Sequence, residues 1–226
     1  MDDGAARPLF PVLKAGRRPG AAALAGVLLH GRGGTPEAMI DLAARLDLDG
    51  ARWLAPAADG GSWYPKGFME PLASNEPFLS RAIDQCDAVV REAAEGGRLS
   101  ARHIVVIGFS QGACLAVEYA LRHPGRCGTA IVFTGGLIGP AGTDWQPSAR
   151  TLAGLRVLVT GSDVDEWVPE ARGRETARVL AAKGADVQLR LYTGRPHIVS
   201  DEEVVRARAF LLSCLESNAR ASGAGL

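Results

Sequence analysis

The amino-acid sequence predicts an α/β fold: an open, mostly parallel sheet with helices on both faces and no large lid domain. Short apolar runs alternate with longer stretches of helical period, and the apolar runs are continuous, as in strands buried on both sides. With 226 residues and neither a linker nor an internal repeat, we expect one domain over 1–226, with a core of about 24–216, a flexible N-terminal segment and a C-terminal tail. A (β/α)8 barrel is the competing architecture, but a chain shorter than ~250 residues counts against it.

The first half of the chain predicts two strands and two helices, separated by an irregular stretch. Leu24–His30 is a continuous apolar run and therefore a buried strand. A helix follows over Pro36–Leu46, because Thr35 is a good N-cap and proline is favoured at the first helical position. The remaining elements of this half are the strand Ala51–Ala55, the Gly- and Pro-rich stretch 56–75 and the helix Pro77–Glu95.

In the second half, strands and helices alternate to the end of the chain. His103–Gly108 is the clearest strand, and it leads directly into a helix, Gln111–Arg122, which ends before Pro124. The other elements are the strand Ala130–Phe133, the loop 135–150, the strand Arg156–Val159, the helix Pro169–Lys183, the strand Val187–Tyr192, the helix Asp201–Glu216 and a frayed tail, 217–226. Such alternation is typical of a parallel sheet, which binds ligands at the carboxyl ends of its strands.

The composition excludes several classes of protein. Hydrophobic residues make up 47% and charged residues 22% of the chain, unlike a disordered chain or a coiled coil. The 25 basic residues balance 25 acidic ones, so no overall field recruits nucleic acid or an anionic membrane. No apolar run approaches the ~20 residues of a spanning helix, and the N-terminus has no signal-peptide core. We expect a soluble, cytoplasmic protein without a nucleic-acid partner or stable membrane insertion.

The four cysteines predict no metal site and no redox pair. They are Cys86, Cys114, Cys127 and Cys214; no two have CxxC spacing, and none lies near a histidine cluster. Each lies in an apolar stretch, where cysteine behaves as a small hydrophobic residue.

The motif G-x-S-x-G occurs where the clearest strand meets a helix, in Gly108-Phe109-Ser110-Gln111-Gly112. The turn is so tight that the serine backbone is strained, and the residues two before and two after it have no room for a Cβ. This turn lifts the hydroxyl to a helix N-terminus, where a developing negative charge is favoured. Ser110 is therefore predicted to be a nucleophile; an ordinary N-cap serine would not require both glycines.

His197 is the candidate base that a nucleophilic serine requires. The chain has four histidines. His30 ends the first strand, His103 opens a strand, and His123 closes a helix. His197 alone lies in a loop beyond the last strand, from which it can reach the carboxyl edge of the sheet.

The acid that orients the histidine should lie between Ser110 and His197 in the chain. Only the acidic group at 163–166 follows directly from a strand end, and within it Glu166 is set aside because it adjoins Trp167, which leaves Asp163 and Asp165. Spacing alone does not separate the two aspartates.

Two backbone N–H groups are expected to form an oxyanion hole. One is that of Gln111, which follows the nucleophile. The other is assigned to Arg32, in the loop His30-Gly31-Arg32-Gly33-Gly34, whose glycines allow a close approach to substrate. The rival interpretation of this loop is a phosphate cradle, but it fits neither GxGxxG nor GxxxxGK[ST].

Together these segments resemble the α/β-hydrolase superfamily and, more narrowly, the bacterial phospholipase/carboxylesterase family, which includes the acyl-protein thioesterases. The resemblance runs from about Leu24 to Leu215 and implies the α/β-hydrolase fold. The family pattern Asp-x-x-Val-Pro selects Asp165 over Asp163, and the family's use of the N–H after His-Gly agrees with Arg32. The markers are His30-Gly31 with its following glycines, Gly108-Phe-Ser-Gln-Gly112, Gly161-Ser-Asp-Val-Asp-Glu-Trp-Val-Pro169 and His197-Ile-Val-Ser-Asp-Glu-Glu203.

The predicted function is hydrolysis of carboxylic esters by a serine hydrolase, through an acyl-enzyme and without metal or cofactor. An acyl-protein or small-molecule thioesterase is the alternative, and a peptidase uses the same triad. A dienelactone-hydrolase-like enzyme is a further alternative, but such enzymes resemble G-x-C-x-G at the turn, whereas this chain has Ser110. A non-catalytic binding protein would have lost a member of the triad, whereas this chain keeps all three.

An aromatic loop is expected to contact a small-molecule ester or thioester substrate. Trp63, Tyr64 and Phe68, with Met69, lie in the irregular stretch, and Trp167 lies two residues from Asp165. These side chains either line an acyl pocket or pack the loop onto the sheet. An exposed apolar rim would also suit a homodimer.

Overall fold

The computed structural model describes residues 10–95, 99–145 and 151–223. Its centre is a seven-stranded sheet of order β1-β3-β2-β4-β5-β6-β7, in which β1 is antiparallel to β3 and every other pairing is parallel. The predicted open, mostly parallel sheet is confirmed. The strands are β1 Val12–Gly16, β2 Leu24–Leu29, β3 Ala51–Pro56, β4 Ile104–Phe109, β5 Thr129–Phe133, β6 Arg156–Ser162 and β7 Asp186–Tyr192.

Helices cover both faces of the sheet, as predicted. They are α1 Pro36–Leu46, α2 Phe78–Glu95, α3 Gln111–Arg122, α4 Glu170–Ala182 and α5 Asp201–Gly223. Successive residues of a strand enter different cores, since Val27 packs with α2 and α3 while Leu28 packs with α1 and α5. The central strands are buried on both sides, and this explains why their sequences are continuous apolar runs.

Two segments differ from the expectation at the ends of the chain. The N-terminal segment, expected to be flexible, contains β1, a half-exposed edge strand that includes Lys14; an edge strand of this kind has no apolar run to reveal it. Helix α5 continues past Glu216 to Gly223, so residues 217–223 are not a frayed tail. Asn218 Nδ2 donates to Arg102 O at 2.8 Å and anchors this extension.

The loop predicted over 135–150 is described only as far as Trp145, and residues 146–150 lie outside the described chain. Among the described residues, no helix is both long and apolar enough to cross a membrane. All four cysteines are buried and free. Burial raises the pKa of Cys114 to about 11 and that of Cys127 to about 12, so both thiols stay protonated at neutral pH.

The topology brings four loops to one edge of the sheet. Parallel strands end at a common edge, and the segments that follow β2, β4, β6 and β7 carry Arg32, Ser110, Asp165 and His197 respectively. Because β4 lies at the centre of the sheet, Ser110 is at the middle of that edge.

Candidate active site

Ser110 lies on a strained turn between β4 and α3. Its backbone has φ 53° and ψ −118°, in a region that residues other than glycine rarely adopt. A Cβ on Gly108 would lie 2.2 Å from Gly112 O, and a Cβ on Gly112 would lie 2.1 Å from Leu29 O. The N–H of Ser110 donates to Phe133 O at 3.0 Å, which ties the turn to β5. The turn therefore requires both glycines, as the motif predicts.

Ser110, His197 and Asp165 form a continuous chain of short hydrogen bonds. Ser110 Oγ lies 2.9 Å from His197 Nε2, and His197 Nδ1 lies 2.9 Å and 2.8 Å from the two carboxylate oxygens of Asp165. Because Nδ1 faces only carboxylate oxygens, it carries the proton, and Nε2 is left to accept from the serine hydroxyl. This is the arrangement in which an imidazole can remove a proton from the serine.

The carboxylate of Asp165 is fully enclosed. Its side chain has no solvent exposure, and Oδ1 accepts from the backbone N–H groups of Trp167 at 2.9 Å and Val168 at 2.8 Å. Asp163 has a different position: its Oδ1 accepts from the N–H of Gly194 at 2.8 Å, which links two loops. Of the two aspartates that spacing left open, only Asp165 bonds to His197.

The loop after β2 lies against Ser110. A Cβ built on Gly31 would be 3.2 Å from the Cβ of Ser110, so glycine permits this approach. The backbone N–H groups of Arg32 and Gln111 donate to no acceptor among the described residues. These two donors can bind an oxyanion that develops beside Ser110.

His30 lies beneath this loop as a neutral imidazole, and both of its ring nitrogens form hydrogen bonds. Its Nδ1–H donates to Gly31 O at 2.7 Å, and its Nε2 accepts from the N–H of Ala58 at 3.1 Å. Desolvation lowers the pKa of the imidazole, although the bond to Gly31 opposes that shift. His30 therefore has no free nitrogen with which to act as a base.

A cleft of about 680 Å³ opens beside Ser110 and His197. Of the aromatic residues for which the sequence left pocket lining and loop packing open, Tyr64, Phe68 and Trp167 line the cleft, whereas Trp63 is not among its lining residues. Trp63 is buried, with its Nε1–H donating to His30 O at 2.7 Å. The cleft is lined by Arg32, Tyr64, Pro65, Lys66, Gly67, Phe68, Met69, Ser110, Gln111, Cys114, Trp167, Val168 and His197.

The side chains of Arg32 and Gln111 hold one wall of the cleft, a role that sequence reasoning missed. The Arg32 guanidinium donates to the carbonyls of Tyr64 at 3.0 Å, Pro65 at 3.1 Å and Lys66 at 2.7 Å. Gln111 Nε2 also donates to Tyr64 O, at 2.8 Å. The contacts join residues more than thirty positions apart, so no local pattern reveals them.

A parallel sheet between helices, with a serine on a strained strand–helix turn and its histidine and aspartate on later loops, defines the α/β-hydrolase class. A family model described as Phospholipase/Carboxylesterase matches residues 11–215. The chain belongs to the phospholipase/carboxylesterase family and is a hydrolase of that family, which confirms the resemblance seen in the sequence.

Known relatives agree with this family. The crystal structure of a phospholipase/carboxylesterase from Dyadobacter fermentans is similar to 92% of this chain and 98% of its own, with a TM-score of 0.84 and 35% identity. An Arabidopsis thaliana protein described as "Probable carboxylesterase SOBER1-like" is 24% identical over 193 residues, 76% of this chain and 70% of that protein. A Bacillus cereus carboxylesterase shares the fold, with a TM-score of 0.74 at 21% identity over 91% of this chain and 95% of its own.

Proposed function

We propose that this chain is a serine hydrolase that cleaves carboxylic esters through Ser110, His197 and Asp165. The observation that carries the proposal is the unbroken series of hydrogen bonds, 2.9 Å from Ser110 Oγ to His197 Nε2 and 2.8 Å from His197 Nδ1 to Asp165. The strained turn exposes the hydroxyl, and the later loops deliver the base and its orienting acid.

The first half of the reaction acylates the enzyme. Ser110 Oγ bonds to the acyl carbon while His197 Nε2 takes the hydroxyl proton, and the carbonyl oxygen becomes an oxyanion held by the N–H groups of Arg32 and Gln111. The tetrahedral intermediate then collapses: the bond to the alcohol oxygen breaks, and His197 gives its proton to that oxygen. Asp165 keeps the imidazole in the required tautomer and stabilises its transient positive charge.

The second half releases the acid. Water takes the place of the alcohol and gives a proton to His197 Nε2 as its oxygen bonds to the acyl carbon. Collapse of the second tetrahedral intermediate breaks the bond to Ser110 Oγ, which recovers its proton from His197. The products are one carboxylic acid and one alcohol, and the enzyme returns to its starting state.

The cleft supports an ester with an apolar acyl group as the substrate. Most of its surface beyond the reacting atoms comes from apolar side chains, including Phe68, Met69 and Trp167. The mouth is open: Trp167 is 66% exposed and Met69 41% exposed. Thioesters are the second candidate, because an open mouth admits an acyl chain carried on a large thiol, and the same triad cleaves both bonds.

A fluorophosphonate probe followed by intact-mass measurement tests the proposal. We expect a single adduct on the wild-type protein and none on S110A, while S100A, which removes a serine far from the turn, labels normally. Turnover of a p-nitrophenyl ester should fall by about 10⁶ in S110A. Equal labelling of S110A, or no adduct on folded wild-type protein, would refute the assignment.

A further inference from the structure

A buried arginine lies immediately beside the candidate base. Arg195 is two residues before His197 in a surface loop, yet it is only 7% exposed, and its partner Glu203 is completely buried. Arg195 Nε lies 3.2 Å from Glu203 Oε2. Removing two charges from water carries a large desolvation cost, and hydrophobic replacements of a buried pair are often no less stable. Global stability alone therefore does not explain the pair.

The guanidinium binds the backbone on both sides of His197. Its Nη1 donates to Pro196 O at 2.7 Å and to Ile198 O at 2.6 Å, the carbonyls that precede and follow the histidine. One nitrogen thus binds the backbone carbonyls of the two residues that flank the histidine in the chain. The other contacts of the guanidinium determine where this fixed segment lies.

The second contact ties the histidine loop to the end of β5, the strand that accepts a hydrogen bond from the Ser110 backbone. Arg195 Nη2 donates to Thr134 Oγ1 at 2.9 Å. Thr134 has φ 52°, a left-handed conformation that is unusual for threonine, and its N–H donates to Thr160 O at 3.2 Å. The preceding residue, Phe133, accepts the N–H of Ser110. Arg195 therefore connects the loop of the base to the strand end that supports the serine.

Glu203 anchors the same network to the final helix. Its carboxylate accepts from Thr160 Oγ1 at 2.6 Å and from the N–H and hydroxyl of Ser200 at 2.9 Å and 3.0 Å. Ser200 and Glu203 form a capping box at the start of α5. The counter-ion of Arg195 is thus held from three directions, by β6, the histidine loop and α5.

We propose that Arg195 is a positioning residue for His197, holding the imidazole between Asp165 and Ser110 through the two flanking carbonyls. The inference rests on the proposed function, because it assigns His197 as the base. Lysine cannot replace arginine here: a planar guanidinium reaches two carbonyls, a hydroxyl and a carboxylate at once, whereas an ammonium is a single point.

The test separates positioning from folding by removing both charges together. R195M/E203Q leaves no unpaired buried charge, and R52M/E92Q is its matched control. Arg52 is also buried and pairs with Glu92 at 3.3 Å, but it lies near the start of β3, away from Ser110. With p-nitrophenyl butyrate we expect R195M/E203Q to lose about 10²-fold in kcat with KM changed less than about twofold. The control should keep both constants.

R195K extends the test and does not depend on the double variant folding. It keeps the charge opposite Glu203 but cannot hold both carbonyls, so its kcat should also fall while KM is retained. A crystal structure of either variant should show Ser110 Oγ and His197 Nε2 separated beyond the 2.9 Å of the native protein. If the folded variants match R52M/E92Q in kcat and keep this distance, Arg195 does not position the base.

If Ser110 is not the nucleophile, so that the proposed function is wrong, the same assay gives a different result. In that case S110A, run in the same assay, would hydrolyse the ester as fast as the wild-type protein. The crystallographic distance between His197 and Ser110 would still report whether Arg195 holds the histidine loop.

Discussion

Two aspartates separated by one residue have unlike environments, which makes them a sensitive test of the triad. Asp165 is enclosed and bonds to His197, whereas Asp163 is exposed and bonds to the N–H of Gly194. The same substitution at either position removes one negative charge and keeps the shape of the side chain. Both aspartates also accept backbone hydrogen bonds, but only Asp165 contacts the imidazole, so a large difference in kcat between the two variants is expected from that contact.

We expect D165N to lower kcat by about 10⁴, because an amide at this position favours the wrong tautomer of the histidine. D163N should change kcat by less than about tenfold, since Asp163 does not touch the triad. Steady-state hydrolysis of a p-nitrophenyl ester measures both. A larger loss in D163N would transfer the role of the acid to that residue.

His30 predicts a pH dependence of stability. Burial lowers its pKa from 6.5, so between the folded and unfolded pKa values the unfolded chain binds a proton that the folded chain does not. The buried neutral imidazole therefore contributes fully to the free energy of unfolding at pH values above the pKa of His30 in the unfolded chain. That contribution is lost as the pH falls from there toward the lower pKa of the folded protein. Urea unfolding at pH 7.5 and pH 5 should show a smaller acid loss in H30Q than in the wild-type protein. Parallel losses would contradict this assignment.

Helix α3 packs closely against β2 at a glycine. A Cβ on Gly112 would collide with Leu29 O, whereas a Cβ added to Gly173 in α4 would have Leu191 as its nearest neighbour, at an ordinary 3.8 Å. The two glycines are both buried and both helical, but only the first is required by its surroundings.

G112A should therefore destabilise the protein by about 3 kcal/mol, since the collision is with backbone that cannot move aside. G173A should stabilise it by roughly 0.5–1 kcal/mol, the usual gain when alanine replaces glycine inside a helix. Thermal or urea unfolding of the two variants provides the comparison. Equal effects would mean that β2 and α3 can separate without cost.

The elements could be predicted from the sequence where burial on both faces produced continuous apolar runs. The strands from β2 to β6 are largely buried and contain such runs, whereas β7 alternates polar and apolar residues and is partly exposed. The five helices begin within one residue of their predicted starts. β1 was not predicted, because it is short and half-exposed and is recognised only by its pairing with β3. The extension of α5 depends on a contact between Asn218 and Arg102, which a local pattern does not contain.

The cleft is assembled from loops that are far apart in the chain. Residues from 64 to 69 face Trp167 and Val168 across the opening beside Ser110. From the sequence, the aromatic residues of this loop either line a pocket or pack the loop onto the sheet. In the structure Tyr64 and Phe68 line the cleft, whereas the indole of Trp63 is buried and donates to His30 O. Composition identifies an aromatic loop; only the fold determines which face of that loop is turned inward.

W167A and F68A should reduce the preference for long acyl chains. Loss of an apolar wall should lower kcat/KM for p-nitrophenyl octanoate relative to the acetate by about tenfold, or about 1.4 kcal/mol. F78A is the matched control, because Phe78 is an exposed aromatic residue outside this cleft. An unchanged ratio in both cleft variants would mean that the acyl chain binds elsewhere.

The backbone carbonyl of Tyr64 accepts hydrogen bonds from the side chains of both Arg32 and Gln111. Through these contacts we expect substrate selectivity and the turnover rate to be coupled. The cleft wall at residues 64–66 is held by the side chains of Arg32 and Gln111, the two residues whose backbone N–H groups are proposed to bind the oxyanion. A substitution in this wall that admits a new ester should therefore also displace the N–H groups of Arg32 and Gln111. Laboratory evolution of this enzyme should find that changes of the 62–66 segment alter selectivity and turnover together, whereas changes at Trp167 tune selectivity alone.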